Sequence, residues 1–145
     1  MEGTITLDGR PEFSLTNNAG HIFVNIEDKN EVHVINPKLL QVVNTWKLDS
    51  GQEPSAMAYD ITYRRLFIGC GNGKLEILNG DNGVKAMDRN IGPGVDAAAF
   101  DVDNKNIFTS NGEGTLSVIR QTDGDHYSQA VNIPTQKGAR TMAID

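Results

Sequence analysis

The sequence of 145 residues predicts an all-β chain built from repeated four-stranded sheets, and three observations lead to this fold class. A short motif returns at Leu15, Tyr59, Phe100 and Ile144, at intervals of 44, 41 and 44 residues. Each repeat holds short apolar runs that are separated by turn-forming Gly, Asn and Asp residues. Long helical periodicity is absent from the sequence. A period of this length is typical of a repeat architecture.

The repeat around Tyr59 shows the predicted elements in order. Its four predicted strands cover residues 55–59, 66–70, 74–78 and 84–87. The second strand leads into the third through Gly71-Asn72-Gly73, because Asn-Gly accepts the positive φ angles that a tight hairpin needs. The third strand leads into the fourth through Asp81-Asn82-Gly83. Four antiparallel strands in every ~40–45 residues are the pattern of a β-propeller blade.

Three complete blades are predicted within a single domain of residues 1–145. They cover residues about 11–48, 53–91 and 94–133. Residues 4–8 precede the first blade as residues 46–49 precede the second, which predicts an orphan outer strand at the N-terminus. Residues 142–144 predict an orphan inner strand at the C-terminus. The chain is therefore expected to be a partial propeller, since closed rings typically need about 4 to 8 blades.

Two stretches of the sequence resemble a known repeat. Residues 31–37, Glu-Val-His-Val-Ile-Asn-Pro, and residues 115–119, Thr-Leu-Ser-Val-Ile, are similar to the bacterial YVTN-type (YncE-like) β-propeller repeat. The resemblance spans essentially the whole chain, and of the Tyr-Val-Thr-Asn string only the threonine is kept, as Thr109. It implies a ring that is usually seven-bladed, of which this chain resembles the C-terminal half. It also implies an export signal in longer members of the family.

Composition and charge exclude several classes of function. The formal net charge is -6 and the 13 basic residues are scattered, which argues against a nucleic-acid surface. No apolar stretch of about 18 residues predicts a membrane span, and the N-terminus lacks the features of a signal peptide. The chain as given is therefore expected to be cytoplasmic, with no membrane partner. The single cysteine, Cys70, excludes a disulfide framework and is predicted to be a small buried hydrophobe.

The sequence offers no constellation for catalysis, and neither a metal nor a cofactor is expected. His21, His33 and His126 are the only imidazoles. Strand pairing across residues 27–30 is predicted to place Val24, not His21, opposite His33, so the histidines do not form a metal site. No Ser-based or Cys-based nucleophile motif accompanies them.

Three aspartates recur at matching positions in consecutive repeats. They are Asp60, Asp101 and Asp145. Paired carboxylates can act in catalysis, but one Asp in every repeat favours a structural role. An Asp at the end of a strand can bind the backbone of its own turn, and we predict that role for all three.

The candidate ligand-binding residues lie in two places. The charged turn of residues 27–30 replaces the Gly-containing hairpin turns of the other blades, and departures from a repeat often map to the functional face. Glu27 and Asp28 are candidates for this reason, with a solvated acidic turn as the alternative. Arg10, Glu12 and Arg140 are the other candidates, because the chain returns there to the central axis, where these residues are placed to line a pocket.

The predicted function is that of a non-enzymatic propeller that binds a small-molecule ligand or a protein partner through one face and its central channel. The alternative is a lactonase-like or quinoprotein-like enzyme, because propellers of those groups resemble this repeat. Such an enzyme needs a metal or cofactor at the axis. An open stack also exposes the apolar faces of its terminal blades. We therefore expect either a two-fold homodimer with six complete blades or a fragment of a longer protein.

Overall fold

The structure, a computed structural model, describes residues 3–144 and confirms the all-β class. These residues form twelve strands in three four-stranded antiparallel sheets. Blade 1 contains β1 (Pro11–Thr16), β2 (Ile22–Ile26), β3 (Glu31–Asn36) and β4 (Gln41–Lys47). Blade 2 contains β5 (Pro54–Asp60), β6 (Arg65–Cys70), β7 (Lys74–Asn79) and β8 (Lys85–Asn90). Blade 3 contains β9 (Val95–Asp101), β10 (Asn106–Asn111), β11 (Thr115–Arg120) and β12 (Val131–Pro134). No helix within residues 3–144 is long and apolar enough to cross a membrane.

Each blade is a meander in which the strands pair in chain order. The middle strands of blade 2 lie between two neighbouring sheets, and β6 is buried from Leu66 to Cys70. The outer strand β4 is mostly exposed. A strand that is covered on both faces reads as a continuous apolar run, and Leu66 to Ile68 is such a run. The first strands lie side by side, with β5 contacting both β1 and β9, so they are directed towards a common axis.

Two apolar layers hold the three blades together. The layer between blades 1 and 2 contains Phe23, Val32 and Val34 of blade 1 and Met57, Leu66 and Ile68 of blade 2. The layer between blades 2 and 3 contains Ala58, Phe67 and Ile77 of blade 2 and Val95, Ile107 and Ile119 of blade 3. Burying each large apolar side chain contributes about 1.5–3 kcal/mol. Sheet-on-sheet packing therefore stabilises the stack, since each described sheet contains the strands of one blade only.

A buried carboxylate fastens the crossover from blade 1 to blade 2. Glu76 lies on β7 and its side chain is fully buried. Its two oxygens accept hydrogen bonds from the backbone amides of Asp49, Ser50 and Gly51, at 2.8, 3.0 and 2.8 Å. Hydrogen bonds to a charged group are stronger than neutral ones. Glu76 thus fixes the path by which the chain returns to the axis.

The turns after the first strands are capped as predicted. Asp60 Oδ1 accepts a hydrogen bond from the Thr62 amide at 2.8 Å. Asp101 Oδ1 accepts one from the Asp103 amide at 3.0 Å. The turn-binding role is therefore confirmed for these two aspartates, and Asp145 lies outside the described residues.

The repeat in blade 1 is shifted by one residue from the alignment that the sequence motif suggests. Strand pairing places Tyr59 opposite Leu66, and the matching pair in blade 1 is Thr16 opposite Ile22. Matching Leu15 to Tyr59 is therefore wrong. The physical reason is the length of the connection: five residues separate the pair Thr16 and Ile22, whereas six separate the pair Tyr59 and Leu66.

The two predicted orphan segments lie outside the twelve strands. Residues 4–8 run along the outer side of blade 1, where Ile5 and Leu7 pack against an apolar cluster that includes Val24. Residues 142–144 line a mainly apolar cavity of about 290 Å³ on the outer side of blade 3. A strand needs a neighbouring strand to satisfy its backbone groups. Neither segment has the companion strands of a blade, so both stay unpaired.

Candidate ligand-binding site

The first strands of the blades begin around one cavity of about 310 Å³. Its charged and polar wall residues are Glu12, Glu27, Glu53, Ser55, Asp96 and Arg140. The pairing of each first strand with its neighbour is irregular at this end. Ser55 and Asp96 are the residues that the register skips in β5 and β9, and a similar irregularity follows Pro11 in β1. A β-bulge redirects a side chain out of the regular alternation, and here it presents polar groups to the axis.

The structure brings the sequence-predicted site residues to one end of the molecule. Glu12, Glu27 and Arg140 line the cavity itself. Arg10 and Asp28 lie beside it. The Arg10 guanidinium forms an ion pair with the Glu27 carboxylate, and the Arg10 amide donates a hydrogen bond to Asp28 Oδ1 at 2.7 Å. Arg10 therefore ties the start of β1 to the charged turn.

The charged turn is one residue longer than the turn of blade 2, and it ends in the left-handed conformation that the other blades obtain with glycine. It consists of a short 3-10 helix, Glu27–Lys29, followed by Asn30 in the left-handed conformation with a φ of 54°. Gly73 and Gly114 take the matching positions, with φ angles of 78° and 105°. Asn tolerates this conformation better than most residues. The Asn30 Oδ1 atom accepts a hydrogen bond from the Glu53 amide at 2.8 Å, which fastens the turn to the beginning of blade 2.

Sequence reasoning missed three wall residues: Glu53, Ser55 and Asp96. A signal for two of them existed in the repeat. Gly94 and Gly138 make the same backbone contact in successive repeats. The amide of each donates a hydrogen bond to the hairpin turn between the second and third strands of the preceding blade. Asp96 therefore holds the place of Arg140, one repeat earlier, and Ser55 holds it one repeat before that. Applying the period to Arg140 would have found both residues.

Negative charge dominates the wall of the cavity. Four carboxylates, those of Glu12, Glu27, Glu53 and Asp96, line it together with one guanidinium, that of Arg140. Among residues 3–144, the carboxylate that forms an ion pair with Arg10 is that of Glu27. A concave surface with an excess of one charge concentrates ions of the opposite sign. The geometry therefore favours a ligand that carries a cationic group.

Two further side chains that could be reactive, Cys70 and His33, are buried in the sheets. Cys70 is buried as predicted, and burial raises the pKa of its thiol, with the nearby Glu76 carboxylate adding to the rise. A thiol of this kind is a poor nucleophile. His33 lies opposite Val24 as predicted, and its Nε2 atom is 3.0 Å from Glu31 Oε1. In the part of the chain that the structure describes, no group of three His, Cys, Asp or Glu side chains is placed to hold a metal ion.

Several solved structures share this arrangement of sheets. The chain matches hydrazine synthase of Kuenenia stuttgartiensis with a TM-score of 0.76 and 12% identity, over 97% of this chain and 40% of that chain. It matches the Cps50 (Swd1) beta-propeller domain of Myceliophteria thermophila with a TM-score of 0.71 and 13% identity, over 92% of this chain and 41% of that chain. A chain of a mitotic checkpoint complex matches with a TM-score of 0.69 and 16% identity, over 82% of this chain and 37% of that chain.

These likenesses are in structure, not in sequence. No family model matches the sequence, and no curated protein sequence is detectably similar to it. The chain spans about two fifths of the length of the structures that it matches. At these identities the comparison establishes the fold and nothing further. The three sheets are blades, and the chain has a partial β-propeller fold.

Proposed function

We propose that the chain is a non-enzymatic propeller scaffold of the YVTN type, which binds a ligand or a protein partner in its axial cavity. The observation that carries the proposal is the convergence of Glu12, Ser55, Asp96 and Arg140, the same position of four successive repeats, on one cavity. Side chains that vary while their backbone position is kept are the expected design of a binding site on a repeat scaffold.

The YVTN assignment is supported by residues in the second and third strands of the blades. Thr109 keeps the threonine of the family string, and residues 31–37 and 115–119 resemble its third strands. The propeller fold of the chain is compatible with that family. The fold is equally compatible with other propeller families, so the support for the YVTN family comes from the sequence resemblance alone.

The charge of the wall narrows the class of ligand. An amine or guanidinium group would meet Glu12, Glu53 and Asp96, whereas an anionic ligand would find Arg140 as the single cation among the described wall residues. Lysine and arginine side chains of a partner protein carry such groups on long, flexible stems that can enter a cavity of this size. We propose a basic peptide segment as the ligand class.

Peptide binding to matched variants tests this proposal. The probe is a fluorescently labelled Lys-rich decapeptide, with a Glu-rich decapeptide of equal length for comparison, and the readout is fluorescence anisotropy. Asp96→Asn removes an exposed carboxylate from the cavity, and Asp103→Asn removes an exposed carboxylate from the turn between β9 and β10, at the opposite end of the blade. We expect Asp96→Asn to weaken Lys-rich binding by about fivefold, or about 1 kcal/mol.

The control variant and a third variant decide the outcome. Asp103→Asn is expected to leave the affinity within about twofold, and Arg140→Ala is expected to strengthen binding because it removes a repelling charge. An equal loss in Asp96→Asn and Asp103→Asn would show non-specific charge attraction and contradict the proposal. So would a failure of the wild-type chain to bind the Lys-rich peptide.

Metal analysis of the same preparation tests the enzyme alternative. A lactonase-like or quinoprotein-like activity requires a metal or cofactor at the axis. A metal ion that co-purifies in stoichiometric amount, and is lost in a Glu12→Gln, Asp96→Asn double variant, would favour the enzyme over the scaffold. A metal-free preparation that binds the peptide supports the scaffold.

A further inference from the structure

Blade 2 presents a row of apolar side chains to blade 3, and blade 3 carries the matching row on its far side. In blade 2 the row runs across the four strands as Ala58, Phe67, Ile77 and Met87, which are paired side by side. In blade 3 the matching row is Ala99, Phe108, Val118 and Val131. Directly paired residues of antiparallel strands project from the same face of a sheet. We call the side of blade 3 that carries this row, together with Leu116 and Ile133, its open face.

The open face lacks the cover that the matching rows have. Phe67 and Ile77 are fully buried because blade 3 packs on them. Phe108 and Val118 are only half-buried, and Val131 and Ile133 are 65% and 48% exposed. Contiguous exposed apolar surface of this kind marks an interaction site. The residues of the open face hold the same positions in blade 3 as the residues of blade 2 that pack on the next blade.

We propose that blade 1 of a second copy of the chain docks on the open face of blade 3. The outer side of blade 1 is equivalent to the side of blade 2 that packs on blade 1. Val24, Ile26 and Ile35 occupy there the positions that Ile68, Cys70 and Leu78 occupy in blade 2. Those three residues of blade 2 pack on blade 1 in the layer already described. The proposed joint thus repeats an existing one.

Head-to-tail docking of two copies closes a ring. Each copy offers one open face and one outer side of blade 1, so two copies make two identical joints related by a two-fold axis. The ring then holds six complete blades, within the range of about 4 to 8 that closed propellers adopt. Closure leaves neither terminal face of the stack exposed.

The terminal segments allow this joint. Leu48 and Ile91, which lead into blades 2 and 3, are themselves part of the internal apolar layers. Ile5 and Leu7 lie in the same way on the outer side of blade 1, so they fit a third layer. Residues 142–144 lie on the open face without pairing to a strand. Arg140 holds the repeat position that Glu12 of the second copy takes in the joint, so docking displaces residues 139–144 together.

Sedimentation velocity of two valine variants tests the open face. Val131→Asp places a charge on it, and Val84→Asp places the same charge on a valine that is 62% exposed in the turn before β8. Both sites are exposed, so neither change is expected to unfold the chain, which circular dichroism checks. We expect the wild-type chain to dimerise at micromolar concentration, Val131→Asp to weaken dimerisation by about tenfold or more, and Val84→Asp to leave it unchanged.

A second pair of variants tests the direction of docking. Thr45 lies opposite His33 on the outer side of blade 1, and Thr62 lies in an exposed turn of blade 2. Head-to-tail docking predicts that Thr45→Arg weakens dimerisation and that Thr62→Arg does not. It also predicts that mixing Thr45→Arg with Val131→Asp restores a two-chain species, since each then supplies the intact half of one joint.

Three results would overturn the proposal. The first is a wild-type chain that stays monomeric. The second is equal weakening by Val131→Asp and Val84→Asp. The third is a dimer that Val131→Asp disrupts and Thr45→Arg does not, because that pattern belongs to two open faces packed on each other.

Discussion

Asp60, Gln121 and Tyr127 form a buried polar link between blades 2 and 3. The Gln121 side-chain amide donates to Asp60 Oδ2 at 2.9 Å and to the Tyr127 hydroxyl at 3.3 Å. The Tyr127 hydroxyl donates in turn to the Gly124 carbonyl at 3.0 Å. Because all three side chains are buried, each hydrogen bond replaces one that water would otherwise make. The link fixes how blade 3 sits on the end of β5.

Tyr127 makes the stability of the chain sensitive to alkaline pH. Burial raises the pKa of Tyr127 to about 12, against an opposing effect of the Gln121 hydrogen bond. An unfolded tyrosine ionises at about 10, so between pH of about 10 and 12 the unfolded chain loses a proton that the folded chain keeps. The free energy of unfolding is therefore expected to fall through this window, by up to about 3 kcal/mol from this group.

Urea unfolding measured across that pH window checks the prediction. Tyr127→Phe should remove this part of the pH dependence, while Tyr63→Phe, at an exposed tyrosine, should keep it. Identical pH profiles for the wild-type chain and Tyr127→Phe would show that Tyr127 is not the group responsible.

At the scale of elements, local signals predicted most of the fold. Gly71-Asn72-Gly73 fixed the hairpin between β6 and β7, and the register there has no shift. The terminal segments could not be predicted in the same way. Their apolar residues resemble those of a strand, but a strand forms only where a neighbour supplies hydrogen-bond partners, which is not a local property.

The candidate site was predicted only in part, for a related reason. Arg10, Glu12 and Arg140 stood out as charges near the start of a first strand, and Glu27 and Asp28 as a break in the repeat. Glu53 and Asp96 belong to the wall because bulged first strands from different blades converge on it. That convergence depends on contacts between distant parts of the chain. The repeat period, applied to Arg140, predicts Asp96 as a wall residue, whereas local composition does not.

The charged turn gives a prediction at this scale. Asn30 both adopts the left-handed conformation and accepts the hydrogen bond from the Glu53 amide. Asn30→Ala should lose both contributions and destabilise the chain by about 2 kcal/mol. Asn30→Gly restores the backbone freedom and should cost only about 1 kcal/mol. Thermal or urea unfolding measures both, and equal stability of the two variants would contradict this account of the turn.

At the scale of the whole molecule, the chain is an arc of blades with two unlike ends. The layers between the blades bury most of their apolar side chains, while Val131 and Ile133 on the open face of blade 3 are exposed to water. The matched propeller structures are more than twice as long as this chain. An apolar blade face is stable when another blade covers it, so the open face of blade 3 needs a cover. For this chain the proposed cover is a second copy.

Molar mass by multi-angle light scattering of the unmodified chain, measured over a range of micromolar concentrations, tests this account most directly. We predict a species of twice the chain mass of 15.8 kDa that dissociates on dilution. A well-folded β chain that remains at 15.8 kDa at every concentration would contradict the claim that a second copy covers the open face.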